Sequence, residues 1–309
     1  MNMRAATYDK FGDNDVLQIR DVPDPKVGPG EALVEVRAAG VNPVDWKLMA
    51  GGLDGMMEAS FPIVPGWDVA GVIRAVGPDT PEFASGDEVL AYARKDWVHG
   101  GTFAELVTVP VRALATKPAE LDWAGAAALP LAGLTALRVM RRLDVGTGDT
   151  VLVHAAAGGV GRFAVQLARE LGATTVIGTA SPSNHDALRD LGVIPVAYGD
   201  GLVDRVREIA PDGVDAVADL VGGVLEDTLA VLASGGRHAS IADPSVEQHG
   251  GLWIWVRPDG AELQWLADLA ASGGLRIDIA ERFGLADVAT AFERSRSGHS
   301  NGKLVIDVS

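Results

Sequence analysis

One stretch constrains this chain more than any other: Thr150 to Ser181, TVLVHAAAGGVGRFAVQLARELGATTVIGTAS. Thr150 to His154 is an apolar, β-branched run that reads as a fully buried strand. It breaks at Ala155-Ala156-Ala157-Gly158-Gly159-Val160-Gly161, where bulky side chains are missing. Val160, Ala164, Leu167, Ala168 and Leu171 then recur at helical spacing, with Arg162, Arg169 and Glu170 off that stripe. Gly172 stops the helix, and Thr174 to Gly178 reads as a second buried strand. Strand, tight turn, helix and strand within about 30 residues make one βαβ unit.

Ala156, Gly158 and Gly161 stand at the three positions of the dinucleotide fingerprint, with alanine in the first. Small residues there let a pyrophosphate reach backbone N–H groups at the positive end of a helix dipole. Ala157, Gly158, Gly159 and Val160 are therefore the expected phosphate cradle; the alternative is a tight turn demanded only by packing. An NAD site usually carries an acid about 20 residues past the glycines. Here that place holds Thr179-Ala180-Ser181, and the next acid is Asp186. A hydroxyl can donate to a 2′-phosphate that a carboxylate would repel, so Thr179 and Ser181 point to NADPH. If these are only small residues ending a strand, the choice stays open.

With 309 residues, 48% of them hydrophobic and 22% charged, the chain can build two modest domains with a sizeable core. No apolar run approaches the ~20 residues that span a bilayer, and the start MNMRAATYDKF carries no apolar signal core, so the expectation is a cytoplasmic protein. The absence of cysteine removes disulfides, a thiol nucleophile and thiolate-bound zinc together. A formal net charge of −16 disfavours nucleic acid and anionic membranes as partners.

Residues 1 to about 120 read as β-rich, with short strands at Ala32 to Arg37, Val69 to Val76, Asp87 to Ala93 and Phe103 to Val109 between Gly and Pro turns. That pattern suggests a partly closed barrel. From about Leu121 the composition shifts to helices at Trp123 to Leu129 and Leu131 to Leu143. Beyond the βαβ unit, helices at 186–191, 202–209 and 225–232 alternate with extended runs at 193–198, 214–220, 237–241 and 252–256, which predicts a doubly wound parallel sheet. A helix at 261–271 is followed by a strand at 275–280, a helix at 285–297 and a strand at 304–308. The last two strands are expected to return to the first domain. This gives a catalytic domain of 1–120 plus 273–309 and a nucleotide domain of 121–272, with substrate and cofactor meeting in the cleft between them.

Seven segments resemble the medium-chain dehydrogenase/reductase superfamily in its zinc-independent NADPH:quinone oxidoreductase branch. They are 39–45 (AGVNPVD), 64–71 (VPGWDVAG), 86–89 (GDEV), 101–105 (GTFAE), 129–136 (LPLAGLTA), the AAAGGVG turn, and 302–305 (GKLV), in family order over nearly the whole chain. The resemblance implies a GroES-like β-barrel catalytic domain, a Rossmann domain, NADPH-dependent reduction of quinones or α,β-unsaturated carbonyls, and a homodimer. Zinc-dependent members carry a His-Glu pair where this chain has Trp67-Asp68, and the six histidines, at 99, 154, 185, 238, 249 and 299, show no metal-ligand spacing. No metal is expected.

Hydride transfer needs the acceptor held close to the donor and charge stabilised as it develops. The resemblance places Asn42 and Asp45 in a loop by the nicotinamide, Asn42 as a donor and Asp45 orienting its neighbours, although Asn-Pro also favours plain turns. Trp46, Lys47 and Tyr92 are candidate substrate-side groups, Lys47 and Tyr92 as proton donors or oxyanion partners; a snorkelling lysine and a half-buried tyrosine are the alternatives. Thr135 matches the family threonine at the carboxamide, Val221 the passage past the ribose, and Tyr198 a position near the 2′-phosphate, with Asn184 and His185 weaker candidates there. Asn301 and Lys303 fall where the family tail returns over the cofactor, and Trp253 and Trp255 alternate with Ile254 on one strand, so that one face is expected on the cofactor side and the other at a subunit edge. Gly51 to Ser60 is the expected pocket wall. Two further readings are an enoyl-thioester reductase and a catalytically weak NADPH-binding protein.

Overall fold

The structure, a computed structural model, describes residues 1–298 and 300–308; His299 lies outside them. The chain divides into two compact units, 1–134 with 257–309, and 135–256.

The first unit is built on a long central strand, Glu31–Val41, in which Ala32, Val34, Val36 and Ala38 are wholly buried and the residues between them are partly exposed. This two-residue alternation is what a strand with one face in a core requires. Around it runs a seven-stranded sheet. Its order is Ile279–Gly284, Lys303–Asp307, Glu31–Val41, Asp68–Val76, Glu88–Tyr92 and Leu114–Thr116, with Leu106–Pro110 also paired to the central strand. The expected return of the last two strands is therefore observed: Lys303–Asp307 lies antiparallel against Val41 to Ala38. The helix Trp123–Ala128 (WAGAAA) packs on the central strand so closely that a Cβ on Gly40 would overlap the Ala127 carbonyl.

Several elements differ from the sequence reading. Asn42 to Met49 is not a loop: Pro43–Met49 is a helix, with Asn42 at its N-cap and Pro43 in the first turn, where a missing N–H costs nothing. The late strand is Ile279–Gly284 rather than 275–280, and the tryptophan strand is only Leu252–Trp253. An N-terminal antiparallel pair, Asn2–Thr7 with Gln18–Pro23, has no clear alternation in its sequence. The helix Gly260–Ala271 joins the first unit, not the nucleotide-binding one. Gln264 on it accepts from the Thr116 N–H (2.8 Å) and donates to the Thr116 carbonyl (3.3 Å), so one side chain pairs with the sheet's last strand as a neighbouring strand would.

The second unit is a six-stranded parallel sheet in the order 194–196, 175–179, 150–153, 214–219, 232–240 and 252–253. Strand order reverses at Thr150–Val153, the topological switch point of a Rossmann fold. Leu152, Ile177 and Val217 form one face with Leu202, Val206 and Val231 from the helices Leu202–Ile209 and Leu225–Val231, while Val151, Val153 and Val176 point the other way.

Gly161, the first residue of the helix Gly161–Glu170, has no room for a side chain: a Cβ there would overlap the Ala155 carbonyl and the Ala156 backbone. Because those atoms are main chain, they cannot rotate away. Gly161→Ala is expected to cost about 1–3 kcal/mol, read as a lowered melting temperature; an unchanged melt would show that the turn opens freely.

Candidate functional site

The turn at the switch point is held from below by Thr179. Its Oγ1 accepts from the Ala155 N–H and its carbonyl from the Ala156 N–H, both at 3.0 Å. Ala155 takes the left-handed conformation (φ 54°), which turns the chain sharply out of the strand. Gly158 N–H closes on the Ala155 carbonyl, but among the described residues nothing accepts from the N–H groups of Ala157, Gly159 and Val160. Free donors in a row ahead of a helix N-terminus fit a phosphate group, and the residues present therefore suit a dinucleotide.

Several of the other expected cofactor residues, Thr179, Ser181, Tyr198 and Val221, lie at or just past the carboxyl ends of strands of the same sheet. Thr179 pairs with Val196, so Ser181 and Tyr198, each two residues further on, leave their strands at the same level. Ser181 Oγ bonds Ser183 Oγ (3.0 Å) and accepts from Asn184 Nδ2 (3.1 Å), and Tyr198 is 65% exposed. Thr179 itself is buried and holds the turn rather than facing outward. Val221 is exposed on a loop whose Val221 and Gly222 N–H groups are drawn onto Asp219 Oδ1 (2.9 and 2.8 Å). Asp219 Oδ2 in turn accepts from Ser240 Oγ (2.7 Å), fastening two strand ends together. Trp253 is partly exposed on the edge strand, and Thr135 is buried within the helix Pro130–Arg142.

In the first unit the structure brings together residues that lie far apart in sequence. Asn42 Nδ2 donates to Asp68 Oδ2 (2.8 Å), and Asn42 Oδ1 accepts from Lys303 Nζ (2.5 Å). Lys303 Nζ also donates to the Val41 carbonyl (3.2 Å) and lies 4.0 Å from Asp68 Oδ2. Asp68 Oδ1 accepts from the Leu131 N–H, and Asp45 Oδ2 from the Asn42 N–H (2.7 Å). All four side chains are buried. Tyr92 sits opposite Asp68 on the neighbouring strand, its ring edge-on to Trp67.

Burial dominates the ionisation of this cluster. It pushes the Asp45 carboxyl up to about 8, against the Asn42 N–H and Lys303 and with help from the Asp68 charge. Asp68 rises to about 6, held back by Lys303, Asn42 and the Leu131 N–H. Lys303 is drawn below the usual lysine range by burial, opposed by Asp68 and Asp45. Tyr92 is pushed above the ordinary phenol range, again by burial first.

Lys303 is thus turned into the first unit's interior, whereas Asn301 beside it is exposed. Trp46 faces another way, donating to Ser295 Oγ (3.2 Å) and stacking under Arg296, and Lys47 is exposed. The expected wall at 51–60 does not line the cavity beside Asp45; Trp67, Lys95, Trp97 and His99 do. Asp68 was not singled out from sequence as a polar partner, although it lies in one of the family-like segments; Tyr8 carries no sequence signal at all. A zinc ion does not fit these residues. The chain has no cysteine, no three His, Asp or Glu side chains converge among the described residues, and Asp68 is fully engaged with Asn42 and Leu131.

Replacing Lys303 by methionine leaves Asp68 buried without its cation. Lys303→Met is expected to lose about 3–5 kcal/mol of stability in denaturant unfolding; a loss below about 1 kcal/mol would show that the ammonium does not hold this cluster.

Two family models match the chain: an alcohol dehydrogenase GroES-like domain over residues 28–119 and a zinc-binding dehydrogenase over 171–306. An NADPH-dependent alkenal/one oxidoreductase (chloroplastic) of Arabidopsis thaliana is 33% identical over 98% of this chain and 79% of its own length. Quinone-oxidoreductase QR1 (chloroplastic) of Triphysaria versicolor is 31% identical over 99% of this chain and 98% of its length. The quinone oxidoreductase structure from Coxiella burnetii superposes with a TM-score of 0.90 at 34% identity, covering both chains fully. Among the described residues no helix is long and apolar enough to cross a membrane. The two-unit architecture, the switch-point turn and these likenesses agree: the chain is an oxidoreductase of the medium-chain dehydrogenase/reductase family, among its quinone and alkenal/one oxidoreductases.

Proposed function

We propose that this protein reduces a quinone or an α,β-unsaturated carbonyl with NADPH and without a metal. The observation that carries the reading is the row of free N–H donors at Ala157, Gly159 and Val160 ahead of the helix Gly161–Glu170. When bound, the reduced nicotinamide supplies the hydride and both electrons. The residues of the second unit do the binding: the 157–160 turn takes the pyrophosphate, and Val221 borders the ribose.

Ser181 and Tyr198 take the adenosine 2′-phosphate through hydroxyl donors, with Asn184 setting the Ser181 hydroxyl. This preference for NADPH is supported by the absence of a carboxylate at the carboxyl end of Thr175–Thr179 and by the shared level of Ser181 and Tyr198. In the first unit, Asn42 is locked by Asp68, Lys303 and Asp45, so its remaining amide N–H has one direction. Such a preset donor stabilises oxygen charge without reorganising. We further propose a homodimer joined through the edge strand Leu252–Trp253, supported by the exposed Trp253; sedimentation at one chain mass removes it.

Oxidation of NADPH followed at 340 nm with a panel of quinones, enals and enones tests the activity. Turnover of at least one class is expected, and tight NADPH binding without turnover of any would overturn the reading. Ser181→Asp sets a carboxylate beside the 2′-phosphate and is expected to weaken NADPH at least tenfold more than NADH. Equal effects on both cofactors would remove Ser181 from the site.

A further inference from the structure

The first unit holds a small chamber that the binding of cofactor and acceptor does not explain. Its walls include Tyr8, Asp45, Trp67, Lys95, Trp97 and His99, and its volume, about 10 Å³, is that of a single water site. Two of these residues, each 1% exposed, bury a polar atom without a partner among the described residues: Tyr8 Oη and Asp45 Oδ1. Thr102 Oγ1, packed beside the wall residue Gly66, is a third. Buried polar atoms are satisfied in the great majority of cases, so two on the wall of one small space, with a third behind Gly66, call for a ligand. The nitrogen-bearing side chains of the wall are otherwise engaged: Lys95 Nζ donates to Thr108 Oγ1 (2.9 Å), and His99 Nδ1 lies 2.8 Å from the Ser60 carbonyl. At the outer end Trp97 is 51% exposed, which puts the chamber in touch with solvent.

The two oxygens of Asp45 are not equivalent. Oδ2 accepts from the Asn42 N–H, so a proton on this carboxyl resides on Oδ1, the unpartnered atom. Burial keeps that proton in place up to about pH 8. The charged and titratable groups around it are Asp68 and Lys303 on neighbouring strands, Tyr92 opposite Asp68, and Tyr8, Lys95 and His99 around the chamber. Tyr8 is itself pushed above the ordinary phenol range by burial and by the Asp45 charge, and so stays a neutral donor and acceptor.

We propose that this chamber is a proton port: one water, seated against Asp45 Oδ1 and Tyr8 Oη, passes to the reaction the proton that reduction consumes and refills Asp45 from solvent. The inference rests on the reductase reading. Reducing an α,β-unsaturated carbonyl adds a hydride to one carbon and a proton to the other. The electrons arrive with the hydride; the Asp45 O–H bond breaks as its proton moves out through the water and Tyr8 Oη, leaving a carboxylate. A proton from solvent then re-forms the acid, so each turnover takes up one proton and leaves the protein unchanged. Asp45 acts here through water and Tyr8 and is a relay residue.

Two measurements test the port. In the cofactor-free protein, a carboxyl carbon-13 signal absent from Asp45→Asn is expected to titrate near pH 8; titration near 4 overturns the proposal. In turnover, the wild-type rate is expected to fall as pH rises through about 8, because the acid form is lost, and to show a solvent deuterium isotope effect. Asp45→Asn keeps the acceptor for Asn42 and is expected to be at least about 100-fold slower, with a flat pH profile over that range. Tyr8→Phe keeps the ring and loses the hydroxyl; it is expected to slow turnover and enlarge the isotope effect, and it serves if Asp45→Asn does not fold. Variants with unchanged profile and isotope effect overturn the port while leaving the reductase standing. A panel without any turnover overturns the reductase, and the carboxyl titration still decides whether Asp45 holds its proton.

Discussion

The ammonium of Lys303 sits inside the first unit, and much of that unit's geometry follows from placing it there. A buried cation is tolerated only with partners, and Lys303 finds them in the Val41 carbonyl, Asn42 Oδ1 and the nearby Asp68 carboxylate. Those partners lie about 260 and 235 residues earlier in the chain, so one side chain registers the final strand against the central one and the helix that follows it. The same contact fixes the Asn42 amide, and the Asn42 N–H in turn selects which oxygen of Asp45 is free. A structural interaction thereby orients the groups available to chemistry.

The second unit achieves rigidity differently. A threonine holds its turn, through its hydroxyl and its carbonyl. Small residues at 155–161 keep backbone donors exposed because no side chain shields them, and the positive helix terminus adds to their pull on anions. At the neighbouring strand end, Asp219 and Ser240 fasten a loop in the same manner, with side chains standing in for absent ladder bonds.

Local signals carried much of the architecture. The β-branched runs, the glycine turn and the 3.6-residue stripe of Gly161–Glu170 depend on neighbours a few residues apart, and each was legible as written. So was the return of the last strand, since its apolar run follows a helix and stands outside the parallel alternation. The elements that escaped were those whose stability is borrowed from elsewhere. Pro43–Met49 is a short helix begun at an Asn-Pro pair that is equally at home in a turn, and only the Asp45 side chain closing on Asn42 shows which one it is. Gly260–Ala271 reads as a helix from its own residues, but its assignment to the first unit depends on Gln264 meeting Thr116.

By itself the sequence determined the two classes of unit, the small-residue turn between strand and helix, the lack of thiol or thiolate chemistry, and the acid-free strand end at 179–181, because each is a property of composition or of spacing along one element. Tertiary structure alone decided that Lys303 faces inward to Asn42 and Asp68, that Trp46 turns to Ser295, and that Tyr8 and Asp45 share a water-sized chamber. Burial and hydrogen-bond pairing arise between residues distant along the chain, and a carboxyl becomes an acid at neutral pH only when folding removes the water that would have ionised it.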